Sequence, residues 1–408
     1  MPPASGSLAK FALIFCLYLS QGIATSFLVL GVPSVLRNRG MPLDLLWVAY
    51  LPVVLYSIKF LWAPLADRHW VPSFGRRRTW LVPATLALAA SFLLLAQFPP
   101  DRALVAAAAA FFLISLSGAT MDIATDAYAV ELLDPGERGL GNGLQSAGLA
   151  CGGLIGRGAV LVLIDRFGWT TALTLVAILI PIVAAPGLLR REPPVPGAVA
   201  RDGVAGVSLR AFFARPETPL TLLLALLTGL CYFLSGPILG PFLVDAGLSL
   251  GRVGVIQGVV GTAAGIIGAL AAGASVNRLG FKRAYRTIIA AAAVMAILAA
   301  AVAASPLRGL VVLALIVAGV NVVTGGIFAV FYANVMNWCA PAQAATDFTA
   351  ISSVFSLMAV VGGSAAGFLA KHLGYSGHFL AVAAVAVVTV AVIGMAWPRI
   401  PAPPTRHP

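Results

Sequence analysis

Long apolar stretches separated by short polar breaks dominate the chain. A helix needs about 20 apolar residues to cross the hydrocarbon layer of a membrane, and Pro, Gly or charged residues punctuate the gaps between such stretches here. The apolar stretches cover residues 10–36, 43–66, 79–98, 102–132, 139–164, 168–190, 217–244, 250–277, 284–304, 307–338, 346–371 and 377–397. The pattern predicts an all-α membrane protein with twelve transmembrane helices, because a membrane β-barrel shows short alternating segments instead.

Composition agrees with this prediction. Of the 408 residues, 60% are hydrophobic and only 10% are charged, whereas about 25% of a soluble domain is charged. A soluble globular protein would have to expose much of this apolar surface to water, which is prohibitive. The hydrophobicity also excludes a disordered chain, and four scattered cysteines exclude a disulfide scaffold.

The basic residues predict the orientation of the helices. The formal net charge is +12. With both termini in the cytoplasm, seventeen of the 26 Lys and Arg residues lie on the cytoplasmic side and seven on the other, while Lys59 and Arg157 fall within spans. This bias follows the positive-inside rule. The charge lies in short gaps between apolar runs and not on a basic soluble face, so we expect a lipid bilayer as partner and no nucleic acid.

The longest polar stretch divides the chain. Residues 191–216 are rich in Pro, Gly and Arg and are interpreted as a cytoplasmic linker. The division predicts an N-terminal six-helix bundle over residues 1–190 and a C-terminal six-helix bundle over residues 217–408.

The two halves share an internal repeat. Arg166–Trp169 reads Arg-Phe-Gly-Trp, and His372–Tyr375 reads His-Leu-Gly-Tyr at an offset of 206. Pro135 and Pro341, in corresponding loops, have the same offset. Repeats of this kind predict two pseudo-symmetric bundles with a substrate site between them near the membrane midplane.

The loops after spans 2 and 8 carry a charged motif. Asp67-Arg68 is followed by Gly75–Arg78, and Asn277-Arg278 by Gly280–Arg283. Both resemble the signature of the major facilitator superfamily, although an insertion lengthens the first copy and Asn replaces Asp in the second. The resemblance implies secondary transport by alternating access. It also implies a charged gate, for which the candidates are Asp67, Arg68, Arg76, Glu131, Glu137, Arg138, Asn277 and Arg278.

A narrower resemblance covers most of the N-terminal half. The strings Lys59–Arg68, Phe74–Arg78, Asp122–Ala127 and Glu137–Gly139 resemble the AmpG-type permease branch. That branch contains importers of muropeptides and the related RhtX/FptX-type siderophore permeases, and the compact twelve-span length is more similar to the siderophore group. The resemblance therefore implies import of a siderophore or iron–siderophore complex across a bacterial inner membrane, and the carboxylates described next predict that the import is coupled to a proton. The alternatives are a muropeptide permease and a drug or metabolite exporter.

Two carboxylates in span 4 are the proton-coupling candidates, and Asp122 is the leading one. Asp122 and Asp126 lie four residues apart and hence on one face of the helix. A charged carboxylate in the bilayer centre is costly and rarely faces lipid, so both are expected to face the protein interior. The alternative is a structural ion pair or hydrogen-bond network.

Other polar residues within the spans are candidates for binding substrate. Buried Arg157 needs an anion, which is Asp122, Asp165 or an acidic substrate, unless it snorkels outward. Lys59 is a similar case and can instead reach towards the cytoplasm. Polar stripes at helical spacing supply the remaining candidates, for which the alternative is interhelical hydrogen bonding. They are Tyr18, Gln21 and Thr25 on span 1, and Asn321, Thr324, Phe328 and Tyr332 on span 10.

Motifs of other functional classes are missing from the sequence. It has no nucleophile constellation, P-loop or dinucleotide fingerprint. Its four histidines lie near span ends or tails and form no ligand set for a metal or haem. We therefore expect a transporter of a small organic solute and protons, not an enzyme, with no cofactor and no metal.

Overall fold

The computed structural model describes residues 5–62, 65–66, 69–132, 138–190, 192, 212–306, 309–338 and 344–397. All regular structure within these ranges is helical. Numbered along the chain, the helices are α1 (Ser5–Ser26 continuing as Val32–Asn38), α2 (Leu43–Ile58), α3 (Arg78–Gln97), α4 (Leu104–Leu132), α5 (Arg138–Leu154 continuing as Val160–Phe167), α6 (Trp169–Leu189), α7 (Thr218–Ser235 continuing as Leu239–Asp245), α8 (Leu250–Val255 continuing as Gly261–Leu279), α9 (Phe281–Ala304), α10 (Leu310–Trp338), α11 (residues 344–373) and α12 (residues 375–396).

The predicted all-α membrane architecture is confirmed. Among the described residues, ten helical stretches are long and apolar enough to cross a membrane, and the last, Ala350–Met395, contains parts of both α11 and α12. Gly374 separates these two helices because its φ of 69° is not helical. A residue with a side chain rarely adopts this conformation. The remaining span, α2, is a shorter apolar stretch.

Helix α2 is less regular than the apolar pattern predicts. The prediction runs to residue 66, but short α-helical turns alternate with 3₁₀ turns at Leu43–Leu45, Leu51–Val53 and Lys59–Leu61. Pro52 lies within the second of these turns and has no backbone N–H to donate. The 3₁₀ geometry rotates side chains away from the positions that a continuous α-helix would give them.

Contacts divide the described residues into two compact units. The first comprises residues within 1–41, 48–197 and 247–259, and the second those within 42–47, 198–246 and 260–408. In the first unit, glycines let α1 and α5 approach closely: a Cβ on Gly22 would lie 2.7 Å from the carbonyl oxygen of Leu149, and one on Gly152 would meet that of Leu19. Small residues at such crossings are typical of membrane helices, which gain stability by close packing.

In the second unit, small residues again mark a close helix crossing. A Cβ on Gly268 of α8 would meet the carbonyl of Val322 on α10, and one on Gly325 would meet the carbonyl of Gly265. A buried ion pair joins the segment before α7 to the first turn of α11, since Arg215 donates to both carboxylate oxygens of Asp347 at 2.6 and 3.2 Å. The side chain of Asp347 is fully buried.

Three helices contain one π-helical turn each. These turns span Phe27–Gly31 in α1, Ile155–Ala159 in α5 and Ile256–Val260 in α8. A π turn accommodates one extra residue within an α-helix and is frequent at functional sites.

The internal repeat is visible in the helix bounds. Helices α4 and α10 both have 29 residues, and Leu104–Leu132 and Leu310–Trp338 begin and end 206 positions apart. This is the offset at which the two loop prolines match, so each residue of α4 has a defined counterpart in α10.

Candidate functional site

A charge cluster joins three helices of the first unit. Lys59, directly after α2, forms an ion pair with Asp122 of α4, and its Nζ also lies 3.5 Å from Oδ2 of Asp126. Tyr18 of α1 donates its hydroxyl hydrogen to Oδ1 of Asp126 at 2.6 Å. The spacing of four residues puts both carboxylates on one face of α4, and Lys59 and Tyr18 meet that face.

The irregular end of α2 positions Lys59. This residue is the first of the 3₁₀ turn Lys59–Leu61. Trp62 follows the turn and donates its Nε1 hydrogen to the hydroxyl of Thr120 on α4 at 3.3 Å. Of the two outcomes expected for Lys59, the structure shows the ion pair and not the reach towards the cytoplasm. The sequence did not indicate which carboxylates would receive it.

The cluster has an unbalanced charge. Two carboxylates and one ammonium carry a net charge of −1 when all are ionised, and one added proton makes the cluster neutral. The three side chains are 20–46% exposed, so the cluster is only partly removed from solvent. Charged groups at membrane depth are stabilised by pairing, and a change in net charge alters their tendency to remain together.

Polar side chains of α1 extend next to the cluster. Thr25 donates to the carbonyl of Gln21 at 2.9 Å and approaches the hydroxyl of Tyr56 at 3.5 Å. Gly118 of α4 provides the space that the Tyr56 hydroxyl occupies. The amide nitrogen of Gln21 is buried and has no hydrogen-bond partner among the described residues. A buried amide without a partner is a natural place for a solute atom or a water molecule to bind.

The other substrate-binding candidates lie on α5 and α10. Arg157 is half-buried in the π turn of α5; Asp122, one of its proposed partners, is held by Lys59. On α10, the Asn321 amide donates to its own helix at the carbonyl of Val317, at 2.8 Å. The other α10 candidates have their own neighbours: Thr324 donates to the carbonyl of Asn321 at 3.3 Å, and the ring of Tyr332 lies 4.5 Å from that of Phe328.

Most of the predicted gate lies outside the part of the chain that the structure describes. This applies to Asp67, Arg68 and Glu137, and to the side chains of Glu131, Arg138 and Asn277. Arg278 is exposed in the last turn of α8. The guanidinium of Arg76 lies 5.4 Å from the ring centre of Trp70. The gate therefore remains a prediction.

An acidic residue that the sequence analysis did not single out holds the loop before α3. Glu192 accepts hydrogen bonds from the backbone N–H groups of Arg77 at 2.9 Å and Arg78 at 2.6 Å. These N–H groups begin α3 and carry the partial positive charge of a helix N-terminus, which favours a carboxylate. The signal was an acidic residue next to the basic pair Arg190 and Arg191 that follows α6.

Comparisons with known proteins identify the class of this protein. The family model described as Major Facilitator Superfamily matches residues 11–324 and 221–408. A bacterial homologue of the human lysosomal transporter Spinster has a TM-score of 0.75 at 14% identity, covering 98% of both chains. The nucleoside transporter NupG has a TM-score of 0.71 at 15% identity, covering 97% of this chain and 99% of its own. These two structures show the shared fold.

The chain belongs to the major facilitator superfamily of membrane transporters. Within it, the similarity places the chain in the AmpG-type branch. The anhydromuropeptide permease of Escherichia coli K12 is 32% identical over 360 residues, which cover 85% of this chain and 71% of the permease. A putative transporter of Rickettsia typhi, named AmpG 3, is 27% identical over 163 residues, or 39% of each chain.

Proposed function

We propose that this protein imports a muropeptide across the bacterial inner membrane, and that entry of a proton drives the import. The observation that carries the proposal is the 32% identity to an anhydromuropeptide permease over 85% of the chain. The siderophore substrate was inferred from the twelve-span length alone. The sequence similarity favours the muropeptide alternative instead, because the Escherichia coli and Rickettsia typhi relatives carry muropeptide or AmpG names.

The charge cluster supports the proton as the coupling ion. With both carboxylates ionised, Lys59 bridges Asp122 and Asp126 across one turn of α4. A proton on Asp126 would remove the weaker arm of this bridge, at 3.5 Å, and leave a neutral Lys59–Asp122 pair. Tyr18 can then retain its hydrogen bond to Asp126, since a protonated carboxyl group still has an accepting oxygen. Protonation of Asp126 thus changes the contacts that Lys59 makes with α4.

Alternating access requires that the two states of the cluster favour different conformations of the transporter. In our proposal, the bridged state stabilises one conformation through a link between α2 and α4. The protonated state weakens this link and allows the other conformation. Both termini and the linker between the predicted bundles 1–190 and 217–408 would lie in the cytoplasm, as the distribution of basic residues favours.

Uptake of a radiolabelled anhydromuropeptide tests the proposal. The assay uses cells that lack their own permease and express this chain, with and without a protonophore. We expect accumulation that the protonophore abolishes. Asp126→Asn should lose accumulation against a gradient but retain exchange of labelled for unlabelled solute, because exchange needs no net proton movement. Asp101→Asn, an acidic residue paired with Arg39 away from the cluster, is the matched control and should behave as wild type.

The outcomes separate the two parts of the proposal. If the wild-type chain gives no uptake of any anhydromuropeptide, the substrate assignment fails. If uptake occurs but neither the protonophore nor Asp126→Asn reduces accumulation, the substrate stands and proton coupling through this cluster fails.

A further inference from the structure

The second unit has an aromatic cluster at the position that the charge cluster has in the first. The 206-residue offset between α4 and α10 makes Phe328 the counterpart of Asp122, and Tyr332 the counterpart of Asp126. Two carboxylates in one repeat are therefore replaced by two aromatic rings in the other. Because the first repeat carries charged residues at these positions, the aromatic pair in the second indicates that the equivalent positions serve a different function.

The rings form a continuous surface from three helices. The centre of the Phe328 ring lies 4.5 Å from Tyr332 on its own helix, 6.2 Å from Tyr232 on α7 and 6.4 Å from Phe355 on α11. Below them, Phe331 stacks on Phe355 with ring centres 4.6 Å apart and planes at 19°. Both of these lower rings are buried. The two buried rings thus support Phe328, whose own ring is exposed.

The exposure of this surface is local to one residue of α10. Between residues 316 and 335 of α10, all of which the structure describes, Phe328 is the only exposed side chain, at 46%. By contrast, α9 exposes apolar side chains along its length, including Val294, Ile297 and Leu298, as expected of a helix against lipid. The exposure of Phe328 is confined to the side of α10 on which α7 and α11 present their rings.

The depth of Phe328 along α10 also fits a solute site. Phe328 is eighteen residues from the start of α10, or about 27 Å along a helix about 43 Å long. It therefore lies within the hydrocarbon thickness and not at either membrane surface. Tyr232 and Tyr332 are partly exposed, and each carries a hydroxyl group in addition to its ring. Aromatic walls with a few polar groups are typical of sites for organic ligands.

We propose that Tyr232, Phe328 and Tyr332, supported by Phe331 and Phe355, bind the saccharide part of the transported muropeptide. The proposal rests on the proposed function. A muropeptide joins sugar rings to a short peptide, and these parts differ in chemistry. A sugar ring has a flat face of C–H groups that packs on an aromatic ring, and its hydroxyl groups can reach tyrosine hydroxyls at the rim. The charged peptide gains little from such a surface.

Three variants on α10 test this assignment. Phe328→Ala removes the exposed ring, Phe328→Trp keeps an aromatic face, and Leu315→Ala removes an exposed apolar side chain elsewhere on the helix. Uptake of the anhydromuropeptide is measured over a range of concentrations, in competition with the unlabelled disaccharide alone or the peptide alone. Size-exclusion chromatography in detergent checks that each variant is folded.

We expect Phe328→Ala to raise the half-saturating concentration by roughly threefold to tenfold with little change in maximal rate, as for loss of one aromatic contact. The disaccharide should compete with uptake by the wild type and compete less well with uptake by this variant. The peptide should compete equally with both. Phe328→Trp and Leu315→Ala should resemble wild type.

Unchanged half-saturation and unchanged competition by the disaccharide in folded Phe328→Ala would overturn the assignment while leaving muropeptide transport intact. If the wild type transports no muropeptide, the proposed function fails, and titration calorimetry of the purified chain with the disaccharide decides the inference. Binding that Phe328→Ala weakens would support the saccharide platform, whereas no binding would overturn it.

Discussion

The buried pair Arg215–Asp347 predicts an asymmetric response to substitution. At 2.6 Å and the effective dielectric constant of about 20 that suits protein ion pairs, the attraction is about 6 kcal/mol. Removal from water costs several kcal/mol for each ion, so the intact pair contributes little net stability. Removing one partner takes the opposite charge away from the other, and Asp347 is the partner with no solvent exposure.

Arg215→Met should therefore destabilise the protein by about 3–5 kcal/mol. In a unit of about 200 residues, this corresponds to a fall in Tm of about 6–20 °C. Asp347→Asn should cost less, about 1–3 kcal/mol, because the Arg215 side chain is 23% exposed and can turn to solvent. The double variant Arg215→Met/Asp347→Leu should recover most of the loss, because it leaves no unpaired charge.

Thermal unfolding of the three detergent-purified variants, followed by the fluorescence of a C-terminal fusion after size-exclusion chromatography, measures these differences. Equal losses for Arg215→Met and Asp347→Asn would refute the argument from burial. A double variant less stable than either single variant would refute the argument from desolvation.

Three further predictions concern the first unit. Glu192→Ala removes two hydrogen bonds at the start of α3 and should lower the free energy of unfolding by about 1 kcal/mol, measured by thermal unfolding. Gly152→Leu should force α1 from α5 and abolish monodisperse protein in size-exclusion chromatography, whereas Gly394→Leu, where a Cβ meets nothing within 4 Å, should be tolerated. Tyr18→Phe removes the donor to Asp126 and should lower uptake about tenfold at unchanged expression, and wild-type uptake would contradict a role in the cluster.

The sequence predicted the helices well because a membrane requires about 20 consecutive apolar residues in each spanning helix, which can be read locally. Within the residues that the structure describes, the long apolar runs lie in helices, and the break at Gly374 follows from its lack of a side chain. The exception is α2, where 3₁₀ turns shorten the regular helix. Hydropathy counts apolar residues but does not report how tightly their backbone winds.

The site was harder to predict, because its contacts join distant parts of the chain. The four-residue spacing of Asp122 and Asp126 was enough to place them on one face. The direction of Lys59 was not predictable, since its flexible chain reaches a carboxylate 63 positions away or solvent with equal ease. Glu192 was missed for the same reason: its partners are backbone N–H groups more than 100 residues earlier. The choice of substrate rested on chain length, which carries no chemistry.

The π turns affect how this protein is to be probed. Each turn inserts one residue into the helical count, so side chains after Ala159 in α5 lie one position out of phase with those before Ile155. In a cysteine scan along α5, maxima of labelling that recur every three to four residues should resume one residue late beyond the turn. A helical wheel drawn through the whole of α1, α5 or α8 would rotate the residues on one side of the turn by about 100° from their true positions.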